Sequence, residues 1–440
     1  MNNELSTQLA EKFNNKTAQI SIVGLGYVGL PLAIAFTRVG FPVLGIDVEE
    51  ERVDLINQGQ SYIADINSEA LSTAVAANLL KATTTQKCLR EVDVICVCLP
   101  TPLTHSKEPE LSYVIHEAEE ISKYLRPGQL VILESTTYPG TTREVVLPIL
   151  QRSGLEAGAD FYLAYAPERV DPGNKKYKIE DIPKIVGGVD AQSAALACLL
   201  YQQVFRTVVP VSSAEVAEIT KVFENVFRNV NIALVNELAQ LCERMRISVW
   251  EIIDAASTKP FGFMPFYPGP GIGGHCIPLD PYYLASKARE FDFHTRFIEL
   301  AAEINEQMPY YVTSHTMEAL NRQGKSLSRA NILVLGVAYK KDVADDRESP
   351  SLKLIKLLRG KAARVDYNDP YIPGIQIEGG DRLSSVELTD SYLSSVDCTI
   401  IATAHTCYDL RRIVSLSQLV FDTKGATRGL DGNNITRLGE

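Results

Sequence analysis

The feature that most constrains this chain is a glycine-rich turn near its amino terminus, where Gly24, Gly26 and Gly29 stand in the stretch GLGYVG. A short apolar run over residues 18–23 precedes the turn, and a segment with helical periodicity follows it. Between a strand and a helix, glycines at these positions permit a tight turn, a close approach of the main chain to a pyrophosphate, and close helix packing. The helix amino terminus also favours phosphate through its partial positive charge. The turn therefore predicts a dinucleotide-binding fold.

An acidic residue stands where such a fold binds ribose. Asp47 follows Gly29 by 18 residues, at the end of a second apolar run over residues 41–46. A carboxylate there can accept hydrogen bonds from both ribose hydroxyls. Glu49 and Glu50 follow it and would repel a ribose 2′-phosphate, so the sequence favours NAD over NADP.

Strand and helix patterns alternate along the chain. Further buried strands are predicted at residues 92–99 and 129–133, each followed by a helix signal, which is typical of a parallel, doubly wound sheet. A second strand–turn–helix pattern begins at Ala330, but only Gly336 remains of its glycine fingerprint. The expected fold is therefore α/β, with two Rossmann-like doubly wound domains joined by a central long helix.

The predicted central helix lies between residues 211 and 259, a stretch without glycine or proline. Its apolar residues recur at intervals of three and four, which predicts one long amphipathic helix followed by a shorter one. These residues are Val216, Ile219, Phe223, Val226, Val230 and Leu234. We expect three domains, at residues 1–210, 211–325 and 326–440.

Composition excludes several classes of protein. The 440 residues carry a formal net charge of −11, whereas a nucleic-acid-binding protein needs a basic surface. No stretch approaches the roughly 20 apolar residues of a membrane span. Eight cysteines are scattered without a CxxC pair, and the polar amino terminus lacks the apolar core of a signal peptide. We expect a cytoplasmic protein that binds neither nucleic acid nor membrane.

Two further segments carry residues suited to chemistry. Cys276 lies in a glycine-rich loop four residues before Asp280, which is the setting of a nucleophile, although an inert, half-buried cysteine has the same pattern. Lys221 and Asn225 share one face of the predicted helix, where an ordinary solvated lysine is equally compatible with the spacing. His275 is a possible base, but its neighbours lack metal-ligand spacing, so no metal is predicted.

Six motifs follow one another along nearly the whole chain: GLGYVGLPLA, ESTTYPGTT, YAPERV, AEITKVFENVFRNVNIALVNE, GPGIGGHCIPLDP and GVAYKKDVADDRESP. In this order they resemble the UDP-glucose/UDP-mannosamine dehydrogenase family. The segment TKPFGFMPFYPGPGIGGHCIPLDPYYL is similar to the UDP-N-acetylglucosamine 6-dehydrogenase branch, because the glucose branch typically has a shorter GFGGSCFPKD loop.

The resemblance implies oxidation of a sugar C6 hydroxyl to a carboxylate by two successive hydride transfers to NAD+. Cys276 would add to the intermediate aldehyde as a thiohemiacetal, and Lys221 would favour its thiolate. The second oxidation would leave a thioester for water to hydrolyse. Lys221 and Asn225 match the residues that hold the developing alkoxide, while Asp280 and Thr136 match those that place a water. Glu168 matches a proposed general base.

The identity of the general base stays open. The stretch Arg169-Val-Asp-Pro-Gly173 lacks a second glutamate found in the glucose branch.

The resemblance also implies ligand-binding residues. The predicted substrate-binding residues are Arg169, Lys221, Asn225, Tyr267, Gly273, Lys340 and Arg347. The predicted NAD-binding residues are Gly24, Gly26, Tyr27, Val28, Gly29, Asp47, Arg52, Thr101 and Thr136.

The expected substrate is UDP-N-acetylglucosamine, bound partly by the carboxy-terminal domain, with the active site in a cleft between domains. UDP-N-acetylmannosamine, UDP-N-acetylgalactosamine and UDP-glucose are the near alternatives, and a non-catalytic nucleotide-sugar-binding regulator is the alternative of another class. Arg347 would also suit an ion pair at a helix start. The aromatic loop over residues 259–272 offers apolar surface for the acetyl methyl of an N-acetylated sugar, and packing in a subunit interface is the alternative role for it. We expect a homodimer or a higher homo-oligomer.

Overall fold

The computed structural model describes residues 3–63, 66–104, 106–170, 177–274, 276–377 and 380–440. The chain divides into two compact units. The first comprises Met1–Glu224 with Tyr282–Phe293, and the second comprises Asn225–Pro281 with His294–Glu440. The division into three domains at residues 210 and 325 stays a prediction.

The first unit is built on an eight-stranded sheet with the order β3-β2-β1-β4-β5-β6-β7-β8. Neighbouring strands are parallel, except that β7 runs antiparallel to β6. Four consecutive strands of this order, β1, β4, β5 and β6, are buried along their whole length, as expected for parallel strands covered on both faces. The strands are β1 (Ile20–Val23), β2 (Val43–Ile46), β3 (Leu80–Thr83), β4 (Val94–Val97), β5 (Leu130–Leu133), β6 (Tyr162–Tyr165), β7 (Lys184–Gly188) and β8 (Val208–Pro210).

Helices connect these strands and pack against the sheet. They are α1 (Asn3–Asn14), α2 (Gly29–Arg38), α3 (Glu50–Asn57), α4 (Ser68–Ala76), α5 (Ser112–Tyr124), α6 (Leu147–Leu150) and α7 (Ala191–Tyr201). The strand order reverses between β1 and β4, and the glycine-rich turn follows β1. This is the position at which doubly wound sheets bind their ligands.

The second unit holds a five-stranded parallel sheet with the order β10-β9-β13-β14-β15 and a small antiparallel pair, β11 and β12. The two Rossmann-like sheets predicted from the sequence are therefore confirmed. The strands are β9 (Asn331–Leu335), β10 (Arg364–Asn368), β11 (Gly374–Gln376), β12 (Arg382–Ser384), β13 (Cys398–Ile401), β14 (Val420–Asp422) and β15 (Ile435–Arg437). The remaining helices are α8 (Ala214–Met245), α9 (Val249–Ser257), α10 (Asp280–Arg289), α11 (Arg296–Arg322), α12 (Pro350–Arg359), α13 (Asp390–Ser395) and α14 (Leu410–Leu416).

The long helix α8 and the shorter α9 confirm the prediction made for residues 211–259, but most of the periodic apolar residues of α8 are not buried. Val226 is buried, whereas Val216, Ile219, Phe223 and Leu234 are 38 to 62 % exposed. The buried face carries valines together with small and polar residues. These are Ala217, Glu218, Lys221, Val222, Asn225, Val226, Asn229, Ala233, Val235, Asn236 and Ala239. Periodicity locates a helix but cannot say which face meets the core when both faces contain apolar residues.

Among the described residues, the helices are all too short or too polar to cross a membrane.

Candidate functional site

The glycine-rich turn has the shape that a dinucleotide requires. Gly24 has a φ of +87°, and a Cβ added there would lie 2.5 Å from the carbonyl oxygen of Cys98. A Cβ on Gly29 would lie 1.8 Å from the carbonyl oxygen of Gly24. A Cβ on Gly26 would meet nothing within 4 Å, so the main chain there faces open space that a pyrophosphate can approach. The residues present fit NAD.

Asp47 lies at the end of β2 and is 6 % exposed. Its Oδ2 accepts the N–H of Leu25 at 2.9 Å, and its Oδ1 accepts the N–H of Glu49 at 3.0 Å. The carboxylate is therefore tied to the glycine-rich turn, and each oxygen retains a lone pair for a ribose hydroxyl. Arg52 lies 3.5 Å from Asp47 Oδ2.

Thr101 and Thr136 follow β4 and β5, whose carboxyl ends lie at the same edge of the sheet as that of β1. Thr101 Oγ1 donates to the carbonyl of Thr136 at 2.6 Å, so the structure brings these two predicted residues together. The carbonyl of Thr101 accepts the hydroxyl of Tyr283 at 2.5 Å. Tyr27 and Val28 lie in the glycine-rich turn itself, where Val28 caps α2.

A buried ionic cluster surrounds Glu168. Lys184 Nζ lies 3.3 Å from Glu168 Oε2 and 2.5 Å from Glu134 Oε2, and the hydroxyl of Tyr201 donates to Glu134. Burial lowers the pKa of the Lys184 amine, but Glu134 and Glu168 outweigh this effect and raise it above its usual range. Burial has the opposite effect on the carboxyl group of Glu134 and raises its pKa. Sequence reasoning missed both residues, because Lys184 lies in none of the six motifs and nothing near Glu134 in the ESTTYPGTT motif indicates its distant partner.

Glu218 holds the loop that carries Thr136. It lies on α8, is fully buried, and accepts the N–H groups of Gly140 and Thr142 at 2.6 and 2.8 Å, together with the hydroxyl of Thr142 at 2.7 Å. Burial raises its pKa to about 7, although these hydrogen bonds act in the opposite direction. Lys221 follows one turn later on α8 and is 8 % exposed, so it is not the solvated lysine that its spacing also allowed.

Arg169 is engaged by protein groups. Its guanidinium pairs with both carboxylate oxygens of Glu224, and its Nη1 donates to the carbonyl of Pro183 at 2.8 Å. The main-chain N–H of Arg169 donates to Glu168 Oε1 at 2.7 Å. Arg169 therefore helps to fix Glu168, and a role in substrate binding stays a prediction.

Within the second unit, a cysteine loop formed by residues 268–274 and 276–280 leads into α10, whose first residue is Asp280. The carbonyl of Cys276 accepts the N–H groups of Leu279 and Asp280 at 3.1 and 2.9 Å, so the half-buried cysteine stands one turn before the helix. Asn225 Nδ2 donates to Asp280 Oδ2 at 2.6 Å, and Asp280 is 2 % exposed. The structure thus brings together three of the predicted catalytic residues.

The cysteine loop packs tightly on the DDRESP segment. The N–H of Gly274 donates to the carbonyl of Arg347 at 3.1 Å. A Cβ on Gly273 would lie 2.7 Å from Tyr339 Cβ and 2.9 Å from Pro350 Cδ, so only glycine fits there. The guanidinium of Arg347 pairs with the buried Asp345, with Nη2 and Oδ2 2.6 Å apart. The ion-pair alternative for Arg347 is therefore present, just before α12, and Lys340 lies half-buried in the same segment.

The aromatic residues before the cysteine loop lie mostly at the surface. The ring of Tyr267 stacks on Trp250 at 6.0 Å, and its hydroxyl donates to Asp254 Oδ1 at 3.0 Å. Phe266 contacts Phe227 on α8, with ring centroids 5.8 Å apart. The exposed members are Phe261, Phe263, Met264 and Tyr267, which are 42 to 70 % exposed.

Two sequence predictions lie outside the described residues, namely His275 and residues 171–173 of the stretch after Glu168. In the part of the chain that the structure describes, histidine, cysteine and acidic side chains form no group of three or more suited to a metal ion. The first unit holds Thr136, Glu168 and Lys221, while the second holds Asn225, Cys276 and Asp280.

Family models match three consecutive parts of the chain. They describe the NAD binding domain, the central domain and the UDP binding domain of the UDP-glucose/GDP-mannose dehydrogenase family. The matched residues are 18–205, 215–307 and 333–429 respectively.

Individual relatives cover nearly the whole chain. A UDP-N-acetyl-D-mannosamine dehydrogenase of Pyrococcus horikoshii is 38 % identical over 88 % of this chain and 89 % of its own length. A UDP-N-acetyl-D-glucosamine 6-dehydrogenase of Salmonella typhi is 34 % identical over 94 % of this chain and 97 % of its own length. The solved structure of the UDP-D-ManNAc dehydrogenase from Pyrococcus horikoshii superimposes with a TM-score of 0.88 at 33 % identity, covering 96 % of this chain and 99 % of that one.

Proposed function

This chain belongs to the UDP-glucose/GDP-mannose dehydrogenase family as an NAD-dependent nucleotide-sugar dehydrogenase, and we propose that its substrate is UDP-N-acetyl-D-glucosamine. The product is UDP-N-acetylglucosaminuronic acid, a precursor for surface polysaccharides. The reaction is a four-electron oxidation of the sugar C6 hydroxyl to a carboxylate.

The observation that carries this proposal is the arrangement around Cys276. Its carbonyl accepts the N–H of Asp280, and Asp280 accepts the side-chain amide of Asn225. A two-electron alcohol dehydrogenase needs no cysteine, whereas oxidation of an aldehyde to an acid needs a nucleophile that makes the carbon tetrahedral. A cysteine held at a helix start beside a carboxylate and an amide meets that need.

Cys276 performs the covalent step. Its thiolate adds to the C6 aldehyde, the C–S bond forms, and the aldehyde oxygen becomes an alkoxide. Asn225 and Lys221 donate hydrogen bonds to this oxygen as its charge develops. Oxidation of the adduct leaves a thioester, and water then cleaves the C–S bond, releasing the acid and regenerating the thiol.

Hydrolysis of the thioester requires a positioned water. Thr136 and Asp280 place this water, and Glu168 accepts a proton from it. Lys184 Nζ and the main-chain N–H of Arg169 contact the two oxygens of Glu168 and hold its carboxyl group in one orientation. Glu168 is therefore the proposed base for a chain that lacks the second glutamate of the glucose branch.

NAD+, when bound, supplies the acceptor for the hydride removed in each oxidation. The glycine-rich turn binds its pyrophosphate, and Asp47 binds the ribose hydroxyls. Tyr27, Val28, Arg52, Thr101 and Thr136 complete the proposed contacts. Arg169, Tyr267, Gly273, Lys340 and Arg347 are the proposed contacts to the nucleotide sugar, together with Lys221 and Asn225.

Two sugars compete for the assignment. The aromatic loop over residues 259–272, with its exposed Phe261, Phe263 and Met264, offers apolar surface for an acetyl methyl and supports an N-acetylated hexosamine. The Salmonella typhi relative supports the gluco configuration at C2, and the Pyrococcus horikoshii relative supports the manno configuration. UDP-N-acetylmannosamine is therefore the second candidate.

The test is a side-by-side NADH assay with UDP-N-acetylglucosamine, UDP-N-acetylmannosamine, UDP-N-acetylgalactosamine and UDP-glucose. We expect the highest kcat/KM with UDP-N-acetylglucosamine. One methyl with its amide contributes roughly 1–3 kcal/mol, so UDP-glucose should be poorer by about 10- to 200-fold. A higher kcat/KM with UDP-glucose would contradict the assignment, and a higher value with UDP-N-acetylmannosamine would transfer it to the second candidate.

We also propose that the protein is a homodimer joined through α8. One face of this helix exposes seven apolar side chains spaced by three, four or seven residues. They are Val216, Ile219, Phe223, Phe227, Leu234, Leu241 and Met245, each 38 to 62 % exposed. A continuous apolar stripe of this length is costly in water and favours a second copy of the same helix.

A further inference from the structure

Three asparagines form a hydrogen-bonded chain inside the second unit, and both ends of this chain reach the main chain of the cysteine loop. Asn229 and Asn236 lie on α8, and Asn305 lies on α11. Their exposed fractions are 2, 0 and 4 %, so these amides cannot rely on water for their hydrogen bonds.

The links follow one another without a break. The N–H of Gly269 donates to Asn236 Oδ1 at 3.0 Å, and Asn236 Nδ2 donates to Asn305 Oδ1 at 2.9 Å. Asn305 Nδ2 donates to the carbonyl of Asn229 at 3.0 Å and to its Oδ1 at 3.3 Å. Asn229 Nδ2 then donates to the carbonyl of Ile277 at 3.1 Å. Every amide accepts from one side and donates to the other.

This direction explains why asparagine occupies all three positions. A carboxamide carries an acceptor and a donor at one end of a short side chain, whereas a carboxylate only accepts and an ammonium only donates. Hydrogen bonds in a low-dielectric interior also polarise one another along a chain. Each member therefore depends on its neighbours for its preferred orientation.

The two contacts that the hydrogen-bonded asparagines make with the cysteine loop lie on either side of the nucleophile in the sequence. Gly269 precedes Cys276 by seven residues, and Ile277 follows it directly. One turn before Asn229, Asn225 donates from the same face of α8 to Asp280. The buried face of α8 is thus a row of amides that holds the cysteine loop at three points.

We propose that Asn305 is a positioning residue for Cys276. Asn305 joins Asn229 to Asn236 and so fixes the loop on both sides of the nucleophile. This inference rests on the proposed function of Cys276. The side chain of Asn305 acts on the loop through its hydrogen bonds to the two asparagines of α8.

Loss of the Asn305 side chain should slow the attack by Cys276 and leave NAD+ binding unchanged. Without Asn305, the side chains of Asn229 and Asn236 each lose a buried partner, and both loop anchors loosen together. A displacement of about 1 Å at a reacting atom costs on the order of 100-fold in rate. The loss belongs to attack by Cys276 and not to NAD binding, since the glycine-rich turn and Asp47 belong to the first unit.

The experiment compares Asn305→Ala with the control Thr316→Val in the full-length protein. Thr316 lies on the same helix, is fully buried, and donates only to the carbonyl of Val312, so its replacement removes a buried hydroxyl remote from the loop. For Asn305→Ala we expect kcat to fall on the order of 10- to 100-fold while the KM for NAD+ stays within about twofold. We expect a larger loss in single-turnover oxidation of the UDP-sugar 6-aldehyde than in oxidation of the alcohol.

Hydrogen–deuterium exchange provides a readout that does not depend on activity. Deuterium uptake of peptides covering residues 266–280 should rise in Asn305→Ala and not in Thr316→Val. Should Asn305→Ala fail to fold, Asn305→Ser leaves a smaller cavity and gives the same comparison. The double variant Asn305→Ala with Asn236→Ala should show a kcat only slightly lower than that of Asn305→Ala alone. Both substitutions interrupt the same series of hydrogen bonds.

Unchanged uptake at residues 266–280 would overturn the proposal, and so would a kcat as high as that of Thr316→Val. A wild-type protein that forms no NADH from any of the four UDP-sugars would contradict the proposed function instead. In that case the uptake still decides whether Asn305 positions the loop.

Discussion

At the scale of single residues, the proposed chemistry depends most on the Cys276 thiol. We expect Cys276→Ser to abolish formation of the uronic acid and to leave NAD+ binding intact. A serine hydroxyl is a far weaker nucleophile at neutral pH and forms no thioester. Product analysis by mass spectrometry measures the acid, and calorimetry measures NAD+ affinity.

The matched control for this variant is Cys407→Ser, since Cys407 is the cysteine that the structure leaves exposed. It should retain wild-type turnover. Release of uronic acid by Cys276→Ser at the wild-type rate would contradict the nucleophile assignment.

Glu117 lies on α5 and is only 4 % exposed. Burial raises its pKa to about 7, and Gln86 Nε2 donates to its Oε2 at 2.9 Å. Neither Glu117 Oε1 nor Gln86 Oε1 has a hydrogen-bond partner among the described residues. A proton on Glu117, or an amide in its place, would supply a donor.

The sign of the pH dependence follows from this raised pKa. The contribution of Glu117 to stability is fully present below its unfolded pKa of about 4.3 and is lost as the pH rises through about 7. We expect Glu117→Gln to raise the free energy of unfolding at pH 8 by on the order of 1–3 kcal/mol and to make no difference near pH 4.5. Urea unfolding at both pH values measures it, and an equal effect at the two values would refute the assignment.

At the scale of secondary structure elements, β7 contributes a buried charge to the sheet. Lys184 balances Glu134 after β5 and Glu168 after β6. We expect Lys184→Met to lower the free energy of unfolding by about 3–5 kcal/mol, because it leaves buried carboxylates without a cation. Denaturant unfolding at pH 7 measures this loss.

Two comparisons separate the loss of charge from the loss of a side chain. Lys81→Met replaces an exposed lysine on β3 and should change stability by no more than about 0.5 kcal/mol. Adding Glu134→Gln to Lys184→Met should restore part of the loss, because it removes one uncompensated carboxylate. A Lys184→Met variant as stable as the wild type would show that the cluster is not charged as described.

At the scale of the whole molecule, the apolar stripe of α8 predicts the state of assembly. We expect Phe223→Asp combined with Leu234→Asp to convert a dimer into a monomer, because two charges cannot be buried in an apolar contact without partners. Sedimentation velocity measures the mass. The control is Tyr113→Asp, which replaces an exposed aromatic on α5 and should leave the mass unchanged. A wild-type monomer would contradict the proposal directly.

The sequence alone was sufficient for what depends on neighbours along the chain. The glycine-rich turn, the alternating strands and the long helix are local patterns, and the structure confirms each of them. The structure also places Asp47 directly after β2, while its role in binding ribose stays a prediction. The position of Cys276 before Asp280 is also local, because one helical turn joins them. Family membership was readable for the same reason, since its motifs are contiguous.

Residues that support the site from a distance in sequence became evident from the folded structure. Lys184 meets Glu134 across 50 residues, Asn305 meets Asn229 across 76, and Glu218 meets Thr142 across 76. It also decided that α8 buries Asn225, Asn229 and Asn236 and exposes Phe223 and Phe227, whereas amphipathic periodicity usually places apolar residues on the buried side. The physical reason is the same throughout. Most buried polar groups need a hydrogen-bond partner, and where that partner lies on another segment it is fixed by packing and not by spacing.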